Sequence, residues 1–351
     1  MALAPLTTFG VGGAARFFAV AKGENDVAEA LAWAAERGLP LFVLGGGSNL
    51  LVRDEGFDGL VVQMAIVGMD DRGEGLFSVG AGESWDGFVE RMVHAGYAGV
   101  ECMAGVPGSV GGTPVQNVGA YGQEVSETIE SVRAFDREAG AFVELARDAC
   151  RFRYRQSRFN TEEPNRFIVT EVRFRLRKGG APTLKYAELR ERLGMEPLGS
   201  ATTHVPEAGH GAPSLVEVAN AVREIRRGKG MLLVEGDAEN HTAGSFFKNP
   251  VVEAEMLAPV AAAAGVAAEK VPHWAVGEGK IKLPAAWLVE RAGFVKGWGT
   301  GRVGISSRHT LALVNRGGAT FADVLRVKCE IADKVWEKFG IRLEREPVIM
   351  R

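Results

Sequence analysis

The chain has only three cysteines in 351 residues, Cys102, Cys150 and Cys329, far apart and with no CxxC pair. A disulfide framework, a zinc site and an iron–sulfur cluster fall away, and a reducing compartment is expected. Charge of one sign is also missing. The 41 basic and 44 acidic residues give a net charge of -3, so no bulk field draws the chain to nucleic acid or to an anionic membrane. A small-molecule partner is expected instead. No window approaches the roughly 18 apolar residues of a membrane span, and MALAPLTTFGVGGAARFF has no basic start followed by an apolar run. No membrane partner is expected, and a cytoplasmic protein is. The chain also lacks G-x-x-x-x-G-K-[ST], G-x-S-x-G and H-E-x-x-H, which removes the P-loop, the nucleophile elbow and the zincins.

What is abundant is glycine, 46 residues, about 13% where roughly 7% is usual. There is no Gly-X-Y period, and the core-forming fraction is ordinary, which excludes collagen and disorder. The glycines concentrate in runs: GVGG (10–13), LGGGSNLLV (44–52), VGAGESW (79–85) and AGVPGSVGGTPVQNVGAYG (104–122). These runs abut strand-like and helix-like segments, where glycine serves tight turns or close approach to a ligand.

Residues 25–38 read as a helix capped by Asn25 and stopped by Gly38, and 40–45 and 59–64 as short buried strands. Residues 84–96 look helical. RFIVTEVRFRLRK alternates Val172, Phe174 and Leu176 with Arg173, Arg175 and Arg177, a half-buried antiparallel strand whose arginines face solvent. Ser214 and Glu217 make a capping box for a helix ending in REIRRGKG. A last helix runs from Thr320 to Gly340, before a strand-like LEREPVIM.

GVGGAA at 10–15 satisfies G-x-G-x-x-A, but no buried strand precedes it, so the Rossmann reading fails. In Gly45-Gly46-Gly47-Ser48-Asn49, small residues expose backbone N–H donors of the kind a pyrophosphate needs, although a tight structural turn would look the same. The run from Gly105 through Pro107, Gly108, Ser109, Gly111 and Gly112 to Asn117, Gly119, Ala120 and Tyr121 is a second such stretch. Two separated runs could grip the two ends of a dinucleotide.

GGGSNLLV, AGVPGSVGGTPVQNVGAYG, YRQSRF and AGSFFKNP, in that order from residue 8 to about 348, resemble the UDP-N-acetylenolpyruvoylglucosamine reductases, in the longer form with a tyrosine flap. The resemblance implies an α+β fold: a two-domain FAD-binding fold of the vanillyl-alcohol-oxidase type plus a C-terminal α+β substrate-binding domain. Expected borders are 1–65 and 66–180 for the FAD-binding subdomains, 181–213 for flap and connector, and 214–351 for the C-terminal domain. It implies non-covalent FAD, held by the two glycine runs, with NADPH as hydride donor. A UDP-sugar is the implied substrate and a monomer the expected state. The implied reaction reduces UDP-N-acetylglucosamine enolpyruvate to UDP-N-acetylmuramate.

Hydride addition to the outer vinyl carbon puts negative charge on its neighbour and on the carboxylate, so the site needs a fixed cation and then a proton source. By position in the family motifs, Arg155 supplies the cation and Ser245 the proton. Glu346 helps Arg155 polarise the carboxylate, although Pro347 follows it where a Val-like residue is usual, and a slip to Glu344 stays open. Serine is a poor acid unaided, so its neighbours must help. Tyr154 is a substrate-side position, Tyr186 matches the flap tyrosine over the diphosphate, and Lys229 matches a basic residue for that diphosphate or for NADPH. Asn249 and Glu290 match uridine-side contacts, though a glutamate at Glu290's place is also ordinary on a helix surface. His309 reads as structural. Two other readings stand beside this one: an FAD-linked oxidase of a hydroxy acid or sugar alcohol, which would need O₂ and usually a covalent flavin, and a non-catalytic binding module.

Overall fold

The structure is a computed structural model that describes residues 1–196 and 212–350; the expected flap and connector, 181–213, lies partly outside them. The chain separates into two compact units. A central unit comprises Ala15–Gly46 and Asp58–Gly228, and a terminal unit Met1–Ala14, Gly47–Phe57 and Lys229–Arg351.

In the central unit, strands Leu41–Leu44 and Phe57–Met64 run parallel, Leu41 beside Leu60 and Leu44 beside Gln63, and Ala15–Ala21 flanks them. Helix α1 (Glu24–Glu36) follows that flanking strand, Trp33 standing edge-on to Phe17 at 5.0 Å. Its cap is not Asn25, which falls inside the first turn, but Gly23. The Asp26 carboxylate, three residues on, reaches back to accept from the N–H groups of Gly23 at 3.0 Å and Lys22 at 2.7 Å.

An antiparallel five-stranded sheet follows, in the order Ala141–Ala146, Ile129–Asp136, Phe167–Arg175, Leu76–Gly80, Met69–Asp71. The alternation expected at 167–175 holds, with Val172 and Phe174 buried. On its other face Arg175 and Arg177 are exposed as expected and Arg173 is half-buried. Arg173 ion-pairs with Glu144 and Glu171, and Arg175 with Glu130, because acidic residues share that face of the sheet. Helix α2 (Trp85–His94) is capped by the Ser84 hydroxyl, which accepts from the Gly87 N–H. It packs Trp85 and Phe88 on Phe174 at 5.8 and 4.9 Å. A short helix α3 (Ala187–Arg192) precedes α4 (Leu215–Gly228), which opens on the expected Ser214–Glu217 box. The apolar stripe Leu215, Val218, Val222, Ile225 lies in the same core as Trp85 and Phe88. Consequently α4, expected to head the C-terminal part, belongs to the central unit, and the C-terminal part of the terminal unit starts at Lys229.

The terminal unit carries two three-stranded antiparallel sheets. One runs Thr242–Ser245, Ala312–Asn315, Val303–Ile305, the other Val251–Glu253, Lys280–Lys282, Trp274–Gly277. Helices α5 (Leu257–Ala264), α6 (Ala285–Arg291) and α7 (Phe321–Phe339) enclose a core of Phe246, Phe247, Leu288, Val324 and Ile331. Helix α7 starts and stops as expected, at the Thr320–Asp323 box and at Gly340, whose φ is +65°. The terminal strand Val348–Met350 pairs in parallel with Leu50–Val52. The first 65 residues are therefore not one α/β unit, because 47–57 joins the terminal unit. Among the described residues, no helix is long and apolar enough to cross a membrane.

Candidate active site

The central unit's share of the candidate residues is built from loops. Gly45 and Gly46 end the strand Leu41–Leu44 and lie directly on the second glycine run: a Cβ on Gly45 would stand 2.6 Å from Ser109 Oγ, and one on Gly46 2.7 Å from Gly108 Cα. The two runs thus make one cradle where the sequence suggested two separated grips. The second run is braced along 81–85 through Trp85 N–H to Gly108 O at 3.1 Å, Val110 N–H to Glu83 O at 2.9 Å and Gly111 N–H to Ala81 O at 2.9 Å. These bonds consume some of the expected donors. The N–H groups of Gly45, Gly46, Gly108 and Ser109 have no partner among the described residues. Clustered unsatisfied N–H groups with no side chain in the way are what the oxyanions of a dinucleotide require, so the residues present fit FAD.

Asn117 is fully buried and its amide is committed inside the protein, donating to Glu124 Oε2 at 2.7 Å and Arg153 O at 3.1 Å and accepting from Ser126 N–H at 3.1 Å. Its side chain braces the loop. Gly119–Ala120 and Gln123–Glu124 form a hairpin whose turn, Tyr121-Gly122, has φ of +49° and +83°. Burial pushes the Tyr121 phenol up to about 12, and the Arg226 guanidinium beside it opposes that. The Tyr186 ring meets the Tyr121 ring edge-on at 5.3 Å.

Arg155 occupies the two-residue turn between Arg153 and Gln156, whose backbones exchange both hydrogen bonds, at 2.9 and 3.0 Å. Its φ of +56° is left-handed, a conformation a branched or long side chain adopts only when the surroundings impose it. The guanidinium donates through Nη2 to Gly119 O at 3.0 Å and lies 5.3 Å from the Tyr154 ring centre. The fork is thereby tied to the hairpin of the second glycine run.

Sequence reasoning missed the residues that hold these loops. Asp86 accepts from Gly105 N–H at 2.6 Å and from Arg223 Nη1 at 2.7 Å, and Arg226 Nε donates to Gly105 O at 3.0 Å. The N–H of Gly105 is therefore gripped from α2 and its carbonyl from α4. The three-residue spacing of Arg223 and Arg226 put both on one helical face, a signal read only as a basic helix end.

The terminal unit's share is built on strand pairing. Gly47, Ser48 and Asn49 lie here, and Thr8 Oγ1 donates to Thr242 O at 2.6 Å and Ser48 O at 3.3 Å. Ser245 ends a strand, opposite Ala312. Phe246 and Phe247 plug the core beneath it. The segment 344–346 runs antiparallel to 246–248: Glu346 N–H donates to Phe246 O at 2.8 Å, and Lys248 N–H to Glu344 O at 2.9 Å. The first of these bonds is to the residue next to Ser245. Glu344, by contrast, has an exposed side chain paired with Lys248 at 3.5 Å. In this register Glu346 pairs with Phe246 and Glu344 with Lys248. Asn49 joins the same corner, donating to Glu346 O at 3.4 Å and accepting from Val348 N–H at 2.9 Å.

Asn249 Oδ1 accepts from Ala285 N–H at 2.9 Å at the start of α6, the helix that carries Glu290, and Glu290 accepts from Thr310 Oγ1 at 3.1 Å. His309 is half-buried, its Nδ1 accepting from Leu311 N–H at 3.1 Å. Burial first, then Lys229 and Lys296, hold its pKa down to about 4, so its other ring nitrogen carries the proton at neutral pH.

Residues 237–350 match the profile described as UDP-N-acetylenolpyruvoylglucosamine reductase, C-terminal domain, and residues 15–146 that of an FAD binding domain. The chain is 46% identical over 352 residues to a UDP-N-acetylenolpyruvoylglucosamine reductase of Streptomyces coelicolor, covering 99% of this chain and 88% of that one. It is 40% identical to that of Pseudomonas aeruginosa, covering 98% and 96%. Among solved structures it is similar to the crystal structure of UDP-N-acetylenolpyruvylglucosamine reductase from Thermus caldophilus, with a TM-score of 0.65, 26% identity, and coverage of 100% and 98%.

Proposed function

The chain belongs to the UDP-N-acetylenolpyruvoylglucosamine reductase family and is a flavin-dependent oxidoreductase; from that premise we propose that NADPH is its hydride donor and that Arg155, Ser245 and Glu346 carry the chemistry. The substrate is UDP-N-acetylglucosamine enolpyruvate and the product UDP-N-acetylmuramate, a precursor of peptidoglycan and so of cell wall, cell shape and division. The glycine runs would hold FAD, which would supply hydride transfer between the donor and the enolpyruvyl ether. The oxidase and binding-module readings are set aside, because the matched C-terminal profile is that of a reductase.

Arg155 receives the substrate carboxylate as a planar charged fork, and its pairing strengthens as charge develops there. Ser245 delivers the proton to the carbon beside the carboxylate, with Glu346 fixing geometry and polarising the same carboxylate. The observation that supports this reading is the hydrogen bond from Glu346 N–H to Phe246 O, which pairs the glutamate's backbone with the residue after Ser245. Tyr154 and Tyr186 on the central unit, and Lys229, Asn249 and Glu290 on the terminal unit, bind the nucleotide, Lys229 either at its diphosphate or at NADPH. A monomer in the cytoplasm, where a UDP-sugar and NADPH are both at hand, with no nucleic-acid or membrane partner, completes the proposal.

The test is anaerobic and sequential. NADPH should bleach the bound flavin, and the enolpyruvyl nucleotide should restore its colour. Bleaching without reoxidation by that nucleotide would overturn the reading.

A further inference from the structure

Thr183 lies three residues before Tyr186, and all three of its polar groups are held. Its N–H donates to Glu101 Oε1 at 2.7 Å, its carbonyl accepts from Cys102 Sγ at 3.1 Å, and its hydroxyl accepts from Gln123 Nε2 at 3.1 Å. The holders are themselves joined. Gln123 Nε2 also donates to Glu101 Oε1 at 3.2 Å, Gln123 Oε1 accepts from Cys102 N–H at 3.0 Å, and Glu101 Oε2 accepts from Gly99 N–H at 2.7 Å. Glu101 and Cys102 have no exposed surface and Gln123 has 1%. A carboxylate so deep in the protein and held by neutral donors is costly to keep. Its donors come from three separate stretches of chain, so losing it would release all three.

We propose that Glu101, Cys102 and Gln123 form a socket for Thr183 that fixes where Tyr186 stands, which makes Glu101 and Gln123 positioning residues for recognition of the nucleotide diphosphate. Gln123 anchors one end of the hairpin whose turn is Tyr121-Gly122, and Thr183 anchors the segment that ends at Tyr186. The two run side by side: Gly122 lies against Lys185, and the Tyr121 and Tyr186 rings meet at 5.3 Å. The socket therefore fixes the root of the segment, and the ring pair fixes its tip. The proposal rests on the reading of Tyr186 as a diphosphate contact, and the experiment separates the two.

Glu101→Gln keeps the side-chain shape but presents an amide to donors that need an acceptor. Thr183→Val removes one socket bond and serves as the second variant should Glu101→Gln fail to fold. Two measurements apply to the FAD-loaded enzyme. One is the rate of tryptic cleavage after Lys185 and Arg190, followed by mass spectrometry; the other is steady-state and half-reaction kinetics. Cleavage should accelerate about tenfold in Glu101→Gln and about threefold in Thr183→Val. KM for the enolpyruvyl nucleotide should rise by similar factors, while bleaching of the flavin by NADPH stays within twofold. Cleavage at the wild-type rate in both variants overturns the socket, and faster cleavage with an unchanged KM overturns its role in recognition. Tyr186→Phe is measured alongside. If it leaves KM unchanged while the socket variants still open the segment, the reading of Tyr186 fails and the socket stands as an anchor alone.

Discussion

The two units hold their candidate residues by different means. In the central unit the site is loop: Asn117, Tyr121 and Arg155 all have left-handed backbones, and two glycine runs touch closely enough that a single Cβ would part them. Side chains hold that geometry, with Asp86, Arg223 and the buried Arg226 around Gly105 and the buried Glu101 and Gln123 around Thr183. In the terminal unit Ser245, Glu346 and Asn49 stand on main-chain pairs, with Ser245 opposite Ala312, Glu346 N–H on Phe246 O and Val348 N–H on Asn49 O. A ladder tolerates a changed side chain because its register is written in the backbone. A strained loop does not, because its register is written in a few distant side chains.

The largest effects should therefore be chemical in the terminal unit. Ser245→Ala should slow reoxidation of reduced flavin by the enolpyruvyl nucleotide by about 10³, in the range of a lost general acid, with folding and flavin bleaching by NADPH nearly intact. Equal loss in both half-reactions would contradict the acid assignment. Glu346→Gln should cost about 10² in the same step and Glu344→Gln less than about twofold, since the exposed Glu344 pairs only with Lys248; the reverse order would move the catalytic glutamate to Glu344. Arg155→Lys, in the central unit, should cost roughly 10² in reoxidation, because a point charge replaces a bidentate fork. A change of less than about threefold would mean that Arg155 acts only through its bond to Gly119.

Glycine substitutions sharpen the same contrast at smaller scale. A Cβ at Gly46 would lie within 3.0 Å of the Gly108–Ser109 backbone, so Gly46→Ala must open the cradle. FAD affinity should fall on the order of tenfold to a hundredfold, the range of overpacking costs, read by flavin retention on dilution. Gly244 has φ +70° and open space at its Cβ position, so Gly244→Ala should cost only about 1–2 kcal/mol of stability and leave flavin retention unchanged. Equal flavin loss from both would break the distinction between the units.

What could be read from the sequence follows the same division. Helices α2, α4 and α7 and the strand 167–175 were legible because caps and apolar periodicity are local. The glycine runs were legible as places, since glycine excess marks where backbone must approach something. The Asn25 cap misled because an asparagine just before an apolar repeat looks like a cap, and only the backbone shows that Asp26 reaches back over Gly23. The exposure of Arg175 and Arg177 was legible, but the acidic partners of Arg173 and Arg175 were not, because strand order sets them. Asp86 with Arg223, and Glu101 with Thr183, lie 137 and 82 residues apart. Such pairs leave no local pattern, so the side chains that hold the loop site were the part the sequence hid.

A smaller effect, on stability, lies in the terminal unit at His309. His309 has its pKa held at about 4 against an ordinary value of 6.5, so between those values the unfolded chain binds a proton that the folded protein refuses. The neutral ring's stabilising contribution is therefore complete above about pH 6.5 and is lost progressively as pH falls toward 4. The full difference corresponds to at most roughly 3 kcal/mol, and partial solvent access should reduce it to about 1–2 kcal/mol. In His309→Asn the amide oxygen can still accept from Leu311 N–H, but the titration is gone. Chemical denaturation at pH 7 and pH 4.5 should show the variant losing about 1–2 kcal/mol less than the parent between the two pH values. If the losses are equal, His309 is not a source of the protein's acid sensitivity.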